Sequence, residues 1–229
     1  MTASLTCISS MATRQLLAEL GEAWRQRGLG EVSIESVGGV EAARRVSEGE
    51  SYDLVVLAAD AIDKLAAAGR IVEGSRVDLV RSGVAIAVRT GAARPAVDTE
   101  RALHDAVLAA SSIGYSTGPS GVALQKLFQR WGIAEAIRAR SVQAPPGVPV
   151  GLLVASGEVE LGFQQLSELM HVEGIEVIGP MPRGLEIVTT FSGGICTASG
   201  QPEAARALLV FIRSPAGAEP MSRHGMEPA

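Results

Sequence analysis

The chain has 229 residues, enough for one large domain or two lobes of about 100 residues each. Hydrophobic residues make up 47% of it but aromatic residues only 3%, so the core must be built from Ala, Val, Leu and Ile, which favours α/β layers over an all-β sandwich. The formal net charge is −5 and the basic residues are scattered, so we expect no nucleic-acid partner.

The first third of the chain alternates short apolar runs with segments whose apolar residues recur at helical spacing. The predicted strands are Ala3–Ile8, Val32–Val37 and Tyr52–Leu57. The predicted helices end near Arg27, Gly49 and Ala68. Small or hydroxyl residues follow every strand, at Ser9-Ser10, Gly38-Gly39 and Ala58-Ala59, and Asp60 is expected to cap the third helix.

Two long apolar stretches, 77–90 and 185–198, bracket a second block of strand–helix units. This pattern is typical of a chain that crosses from one α/β lobe to another and later returns. We therefore predict one lobe from residues 1–82 and 192–229 and a second lobe from residues 83–191. Within and after the second block, strands are predicted at 111–115, 138–142, 159–163 and 175–178, and helices at 99–110, 122–131, 148–155 and 202–213.

The stretch Ile113–Gly121 (IGYSTGPSG) indicates a strand end, a loop of glycine and hydroxyl residues, and a helix start. Such a place offers unpaired backbone N–H groups and the positive end of a helix dipole. It predicts a site for an anion or a carboxylate. The alternative for its serines, as for Ser9-Ser10, is ordinary helix capping.

Ligands of open α/β sheets bind beyond the carboxyl ends of the strands, and clefts between lobes are favoured sites. The strand-following loops are therefore expected to converge on a cleft. Gln164-Gln165 follows an apolar strand, and consecutive side chains point to opposite sides, so one amide is predicted to reach the ligand. The alternative is a solvated loop.

The sequence offers little for catalysis. Cys7 and Cys196 lie in apolar runs and are predicted to be buried free thiols, and the three histidines stand far apart, so we expect no metal and no cofactor. No nucleophile elbow or phosphate-binding loop is present. Tyr115 and Asp60 are more simply explained by packing and capping.

The N-terminal residues lack the basic and long apolar segments of a signal peptide, and no apolar run approaches the ~18 residues that span a bilayer. We expect the chain as written to be cytoplasmic, or periplasmic if it is a trimmed mature form, and we expect no membrane insertion.

The sequence resembles the type 2 periplasmic binding proteins, most closely the molybdate-binding branch of the bacterial extracellular solute-binding proteins. The resemblance covers nearly the whole chain. It is carried by Ile8–Ala12 (ISSMA), Asp53–Asp60 (DLVVLAAD) and Gly157–Gln165 (GEVELGFQQ). It implies a two-lobed α/β fold, each lobe a mostly parallel central sheet flanked by helices, with two crossover strands as a hinge.

In that family, main-chain N–H groups and hydroxyls hold the oxyanion. By position, the resemblance places the second-loop serine near Gly39, where the hydroxyl is missing, and the family's tyrosine at Gln165. These departures favour an organic acid over molybdate. The predicted ligand-binding residues are Ser9, Ser10, Gly39, Ala59, Ser116, Thr117, Ser120, Gly121, Gly147 and Gln165.

Three functional hypotheses follow. The first is a solute-binding protein that closes on a small anion, with a transporter permease as a further partner if the protein is exported. The second is an isomerase or tautomerase of small carboxylates on the same fold, since this branch also resembles aconitate isomerase, which shifts a double bond in a small tricarboxylate. The third is a cytoplasmic anion sensor.

Overall fold

The computed structural model describes residues 4–229, so Ala3, the first residue of the first predicted strand, lies outside the described part. The chain divides into two compact units. Unit 1 consists of residues 4–82 together with Thr190–Ala229, and unit 2 consists of Gly83–Thr189.

Strands and helices alternate along most of the chain. The strands are β1 (Ser4–Ser10), β2 (Glu31–Val37), β3 (Leu54–Ala58), β4 (Val77–Arg89), β5 (Ile113–Tyr115), β6 (Ser141–Gln143), β7 (Leu161–Gln165), β8 (Ile175–Pro180), β9 (Val188–Ile195) and β10 (Glu227–Pro228). The helices are α1 (Arg14–Gln26), α2 (Gly39–Ser47), α3 (Ala59–Ala67), α4 (Glu100–Ala109), α5 (Pro119–Arg130), α6 (Ala134–Ile137), α7 (Val150–Ser156), α8 (Leu166–Leu169), α9 (Pro202–Arg213) and α10 (Pro215–Arg223). Short 3-10 turns occupy Met11–Thr13 and Arg138–Arg140.

The sheet of unit 1 has the strand order β2-β1-β3-β9-β4, and β10 pairs with β4. Strand β1 is parallel to both β2 and β3, whereas β9 is antiparallel to β3. Side chains of β1 alternate between two cores. Leu5 and Cys7 pack against α1, α9 and α10, and Ile8 packs against α2 and α3. Helices thus cover both faces, which explains why the central strand β3 (LVVLA) is wholly apolar and buried.

The sheet of unit 2 has the order β4-β7-β5-β6, with β8 also paired to β4. Strand β5 is parallel to its neighbours β6 and β7. One face carries a core that includes Leu103 of α4 and Phe128 of α5, and the other face packs against α7 through Val150 and Val154. The predicted α/β fold class is confirmed. Within residues 4–229, no helix is long and apolar enough to cross a membrane.

Two local predictions are wrong. Asp60 does not cap α3, because β3 runs directly into the helix and Ala58 is the N-cap residue, without a side-chain hydrogen bond. The Asp60 carboxylate instead lies in the first turn, 3.8 Å from the Lys64 ammonium. Residues 138–140 are not part of a strand. They form a 3-10 turn from which the Arg140 guanidinium donates to the carbonyl oxygens of Leu108 and Ala110 at the end of α4.

Two glycines opposite each other allow α7 to approach its sheet closely. Gly114 of β5 and Gly162 of β7 are register partners. A Cβ atom at Gly162 would lie 2.5 Å from Cγ2 of Val154, and one at Gly114 would lie 2.8 Å from Cγ1 of Val159. Only a residue without a side chain fits at either place, since carbon atoms pack at about 3.5–4.0 Å.

We expect Gly162→Ala to lower the free energy of unfolding by about 1–3 kcal/mol, because the added methyl group must displace α7 from the sheet. Urea unfolding of the two proteins measures the difference. The matched control is Gly179→Ala in β8, where the new Cβ would lie 3.5 Å from Cγ2 of Val97, an ordinary contact. Equal stabilities for the two variants would contradict the close approach.

Candidate ligand-binding site

The three parallel strands of unit 1 end side by side, and each continues into a helical turn. Register partners Ser10 and Val37 are the last residues of β1 and β2. The N-terminal residues of α2 and α3, Gly39 and Ala59, follow directly on Gly38 and Ala58, neither of which has a side chain that can cap a helix. The N–H groups of these first turns point away from their own helices and carry positive partial charge. We call Ser10, Gly39 and Ala59 the carboxyl edge of unit 1.

Ser10 has the most informative side chain of this edge. Only 6% of the residue is exposed, and its Oγ has no hydrogen-bond partner. It lies beside the start of α2, because a Cβ built at Gly39 would be 3.6 Å from the Ser10 Cβ. The capping alternative is wrong for this hydroxyl, which makes no cap hydrogen bond. Since buried hydroxyls in folded proteins are nearly always paired, an unpaired one at a helix start indicates a place for a ligand atom.

Ser9 differs from its neighbour. It is fully buried, and its Oγ lies 2.8 Å from Oγ of Ser36 in β2. This hydroxyl is therefore already engaged within the protein. Of the two serines that the sequence left open for the first loop, Ser10 is the one whose side chain is unpaired.

The parallel strands of unit 2 also end at one edge. Here Ser116, Thr117, Ser120 and Gly121 surround the start of α5, where Gly118 is the N-cap residue and makes no side-chain cap. Oγ of Ser116 and Oγ of Ser120 lie 3.0 Å apart. A Cβ at Gly121 would be 1.9 Å from the Ser116 carbonyl oxygen, so the loop can fold over the helix only at a glycine. The result is a pair of hydroxyls at the positive end of a twelve-residue helix.

Gly147 lies in the turn that precedes α7. The Val148 N–H donates to the Pro145 carbonyl over 3.0 Å, and Gly147 has a φ of +78°, which only glycine adopts readily. The residue is exposed. The positive φ explains why residue 147 is a glycine. The role of Gly147 as a ligand donor stays a prediction.

Gln165 is the last residue of β7 and is only 3% exposed. Its Nε2 donates to Oγ1 of Thr189 over 2.7 Å, while its Oε1 has no hydrogen-bond partner. Because the Thr189 hydroxyl can either accept or donate, it can pair with the amide nitrogen or the amide oxygen. The unpaired position of this amide can thus present either a carbonyl oxygen or an NH2 group to a ligand. We call Ser116, Gly147 and Gln165 the carboxyl edge of unit 2.

Gln164 points to the other side of β7, as alternation along a strand requires. Its Oε1 accepts the Val150 N–H at the start of α7 over 2.8 Å, and its Nε2 donates to Oε2 of Glu168 over 2.6 Å. The solvated-loop alternative is wrong for both glutamines, since Gln164 is only 2% exposed. The Gln164 amide therefore holds the start of α7, whereas the Gln165 amide has one atom without a hydrogen-bond partner.

Glu168 was missed by the sequence analysis. It lies in α8, three residues after Gln165, and is partly buried. Burial raises the pKa of its carboxyl from the ordinary value of 4.5 to about 7, against the lowering effect of the hydrogen bond from Gln164. The sequence signal that could have revealed Glu168 is its spacing, since it follows Gln164 by four residues where a strand passes into a helix.

The remaining candidate groups are engaged elsewhere. Cys7 and Cys196 are free and buried, as predicted. Burial raises the pKa of the Cys196 thiol to about 12 and that of Cys7 further, so neither is a thiolate at neutral pH. Tyr115 packs against the core that contains Phe128. Among residues 4–229, no group of three or more His, Cys, Asp or Glu side chains is placed to hold a metal ion.

The profile of the family described as bacterial extracellular solute-binding protein matches residues 5–227, almost the whole chain. The chain belongs to this family. The resemblance seen in the sequence is thereby confirmed.

Solved structures share the fold of this solute-binding protein. The periplasmic molybdate-binding protein of Azotobacter vinelandii superposes with a TM-score of 0.80 at 18% identity, covering 97% of this chain and 98% of that one. The sulfate-binding protein of Mycobacterium tuberculosis H37Rv superposes with a TM-score of 0.77 at 15% identity, covering 99% of this chain and 87% of that one. At these identities the likeness shows the fold alone.

A curated relative is much more similar in sequence. An aconitate isomerase from Pseudomonas sp is 40% identical to this solute-binding protein over 185 residues, which are 80% of this chain and 70% of that enzyme. A relative of this chain is thus named for an isomerase.

The raised pKa of Glu168 predicts a pH-dependent difference between this protein and its Glu168→Gln variant. The unfolded carboxyl ionises above about pH 4.5, whereas the folded one keeps its proton until about pH 7. Its stabilising contribution is therefore complete below pH 4.5 and is lost as the pH rises through 7. We expect the variant to match the wild type near pH 5 and to be more stable by about 2 kcal/mol near pH 8.

Thermal or urea unfolding at the two pH values measures this difference. Glu173→Gln, five residues further along and exposed, is the control and is expected to show no such pH dependence. A Glu168→Gln variant that is equally destabilised at both pH values would show that the carboxyl is ionised throughout.

Proposed function

We propose that this solute-binding protein binds a small organic polycarboxylate, with aconitate as the leading candidate. One observation carries the proposal. At the carboxyl edge of each unit, a nearly fully buried side chain holds an unpaired polar atom, Oγ of Ser10 in unit 1 and Oε1 of Gln165 in unit 2. Buried polar atoms without partners cost about 1–3 kcal/mol each, so each edge is best explained as a place that receives a polar ligand atom.

The hydrogen-bond donors at the two carboxyl edges support an anionic ligand. The first turns of α2, α3 and α5 offer backbone N–H groups, and the Ser116 and Ser120 hydroxyls lie beside the last of these. Neutral donors at helix starts bind oxyanions and carboxylates well, because the charge is met by aligned dipoles and by hydrogen bonds.

Two features favour a carboxylate over an inorganic oxyanion. Gln165 can present both a donor and an acceptor, which suits a ligand with a hydroxyl or a protonated carboxyl as well as ionised oxygens. The 40% identical relative is named for aconitate, which carries three carboxyl groups. The residues Thr117, Gly121 and Gly147 are proposed to shape the loops that receive these groups.

A ligand screen with paired serine variants tests the proposal. We expect trans-aconitate or a related di- or tricarboxylate to raise the melting temperature of the wild type, since a ligand that binds only the folded state stabilises it. Ser10→Ala should weaken binding about 10- to 100-fold at unchanged stability, because its hydroxyl has no partner in the free protein.

Ser9→Ala is the matched control. It removes the hydroxyl that pairs with Ser36, so we expect it to lower the free energy of unfolding by about 1 kcal/mol and to leave affinity unchanged. If no carboxylate raises the melting temperature but molybdate or sulfate does, the ligand is an inorganic oxyanion and the proposed organic ligand is wrong. A screen in which no anion stabilises the protein would reject anion binding.

Isomerisation of the bound carboxylate is a second candidate function, favoured by the aconitate isomerase relative. In aconitate, a methylene carbon lies next to a C=C bond. An allylic shift breaks a C–H bond at that methylene, moves its electron pair into a new C=C bond, and delivers a proton to the far carbon of the old one. The reaction is redox-neutral and needs only proton transfer.

We expect an isomerase to exchange the methylene and vinyl hydrogens of aconitate with solvent. Incubation of trans-aconitate with the protein in heavy water, followed by proton NMR, measures both exchange and formation of the cis isomer. Protein unfolded by heat is the control for spontaneous exchange. Binding of aconitate without any exchange would reject the isomerase and retain the binding protein.

Partnership with a membrane permease and a periplasmic location stay predictions, as does the alternative of a cytoplasmic anion sensor. The ligand screen bears on the permease partnership and on the sensor, because both require that an anion binds.

A further inference from the structure

The start of α2 leaves a space open beside the unpaired hydroxyl of Ser10. Ser10 is only 6% exposed, and its Oγ has no hydrogen-bond partner. A Cβ atom built at Gly39 would lie 3.6 Å from the Ser10 Cβ, and apart from its chain neighbours and the backbone of α2, no other heavy atom of residues 4–229 would come within 4 Å of it. The two residues therefore border one space, which a side chain at position 39 would occupy.

The fold does not require a glycine at position 39. Gly39 lies in the first turn of α2 and, unlike Gly147, does not have a positive φ. It also differs from Gly121, where a Cβ atom would lie 1.9 Å from the Ser116 carbonyl oxygen. A glycine that neither the backbone nor the packing demands lowers stability, because it loses more conformational freedom on folding than any other residue. Close approach of a ligand to the backbone is the use of glycine that fits a position beside an unpaired buried hydroxyl.

The backbone of α2 supplies hydrogen-bond donors at the same place. The helical ladder begins with the Ala42 N–H, which donates to the Gly38 carbonyl oxygen over 2.9 Å, so the preceding N–H groups have no acceptor within the helix. Gly38, the N-cap residue, has no side chain that could accept from them, whereas Oγ1 of Thr99 caps α4 in this way. Glu41, the acidic residue of this first turn, is paired with the Arg44 guanidinium at 2.7 Å. A ligand oxygen can thus provide the cap that α2 lacks.

We propose that Gly39 is a specificity-determining residue of the ligand site, because its missing side chain leaves room beside Ser10 for a carboxylate that is attached to a carbon skeleton. The inference rests on the proposed function. Such a carboxylate accepts from the Ser10 hydroxyl and from the first-turn N–H groups of α2, while its carbon substituent lies against the α-carbon of Gly39. A side chain at position 39 would fill the room of that substituent, so the size of this residue sets the size of the group that the carboxyl edge of unit 1 admits.

Two variants of increasing size, Gly39→Ala and Gly39→Val, test the role of the missing side chain. We expect the Kd for trans-aconitate, measured by isothermal titration calorimetry, to rise about tenfold in the alanine variant and about 100-fold in the valine variant. Gly39→Ala should also raise the melting temperature of the ligand-free protein by roughly 1–4 °C, because alanine restricts the unfolded chain at a position where the folded chain accepts it. Damage to the fold would not produce weaker binding by a more stable protein.

Gly200→Ala is the matched control. Gly200 also has no positive φ, and apart from its chain neighbours a Cβ atom there would meet no heavy atom of the described chain within 4 Å. Its neighbour Ser199 donates to the Asp53 carboxylate directly before β3, so Gly200 lies near the amino end of that strand and away from the carboxyl edge. We expect a similar rise in melting temperature and an unchanged Kd.

The outcomes separate this inference from the proposed function. A Gly39→Ala variant that binds trans-aconitate as tightly as the wild type overturns the role of Gly39 and leaves the binding function standing. Equal losses of affinity in the alanine and valine variants would show that backbone freedom matters rather than size, and would also overturn it. A Gly39→Ala protein less stable than the wild type would show that the fold itself requires the glycine, which removes the basis of the inference.

The wild type decides the fate of the ligand. Absence of trans-aconitate binding by the wild type removes the tricarboxylate ligand and this inference together. If the valine variant does not fold, the affinity and the melting temperature of the alanine variant still decide the role of Gly39.

Discussion

Parallel strand pairing is the constraint on which the site depends. Because β1 is parallel to β2 and β3, three strand ends and the helical turns that follow them meet at one edge of unit 1. The same holds for β5 with β6 and β7 in unit 2. Neither edge needs charged side chains to attract an anion, since the helix starts supply partial positive charge from the backbone itself. The fold thereby frees the side chains at these positions to act as hydrogen-bond partners.

At the proposed site, the candidate ligand partners are a few neutral groups. In unit 1, Ser9 and Ser10 are adjacent, yet one hydroxyl is paired with Ser36 and the other has no partner. In unit 2, Gln164 supports α7 while Gln165 leaves one amide atom unpaired. In both units, a residue engaged in structure stands directly beside one with free hydrogen-bonding capacity. The engaged residue holds its neighbour in place, while the polar atom of that neighbour has no hydrogen-bond partner within the protein. Preorganised binding requires such an arrangement.

The sequence was sufficient for the α/β fold class and the family, because apolar runs, glycines and the order of motifs are local features. It was also sufficient to select Gln165 and the serine pair as candidates. It did not distinguish Ser10 from Ser9, since that difference depends on Ser36 in a neighbouring strand. It missed Glu168, because the burial of this carboxyl depends on how α8 packs against β7, α7 and β8. Asp60 was mistaken for a cap because β3 leads into α3 without an intervening loop.

The hydroxyl of Thr189 has a consequence for the range of ligands. It pairs with Gln165 and, being able to donate or accept, it allows the amide to turn over at little energetic cost. A valine at this position would have nearly the same shape but would offer no partner to either orientation, whereas an ionised aspartate can only accept and would select the amide NH2. With threonine, a single unchanged protein can meet an ionised oxygen with N–H or a ligand hydroxyl with C=O. The proposed site can thus offer a partner to chemically varied acids without any change of sequence.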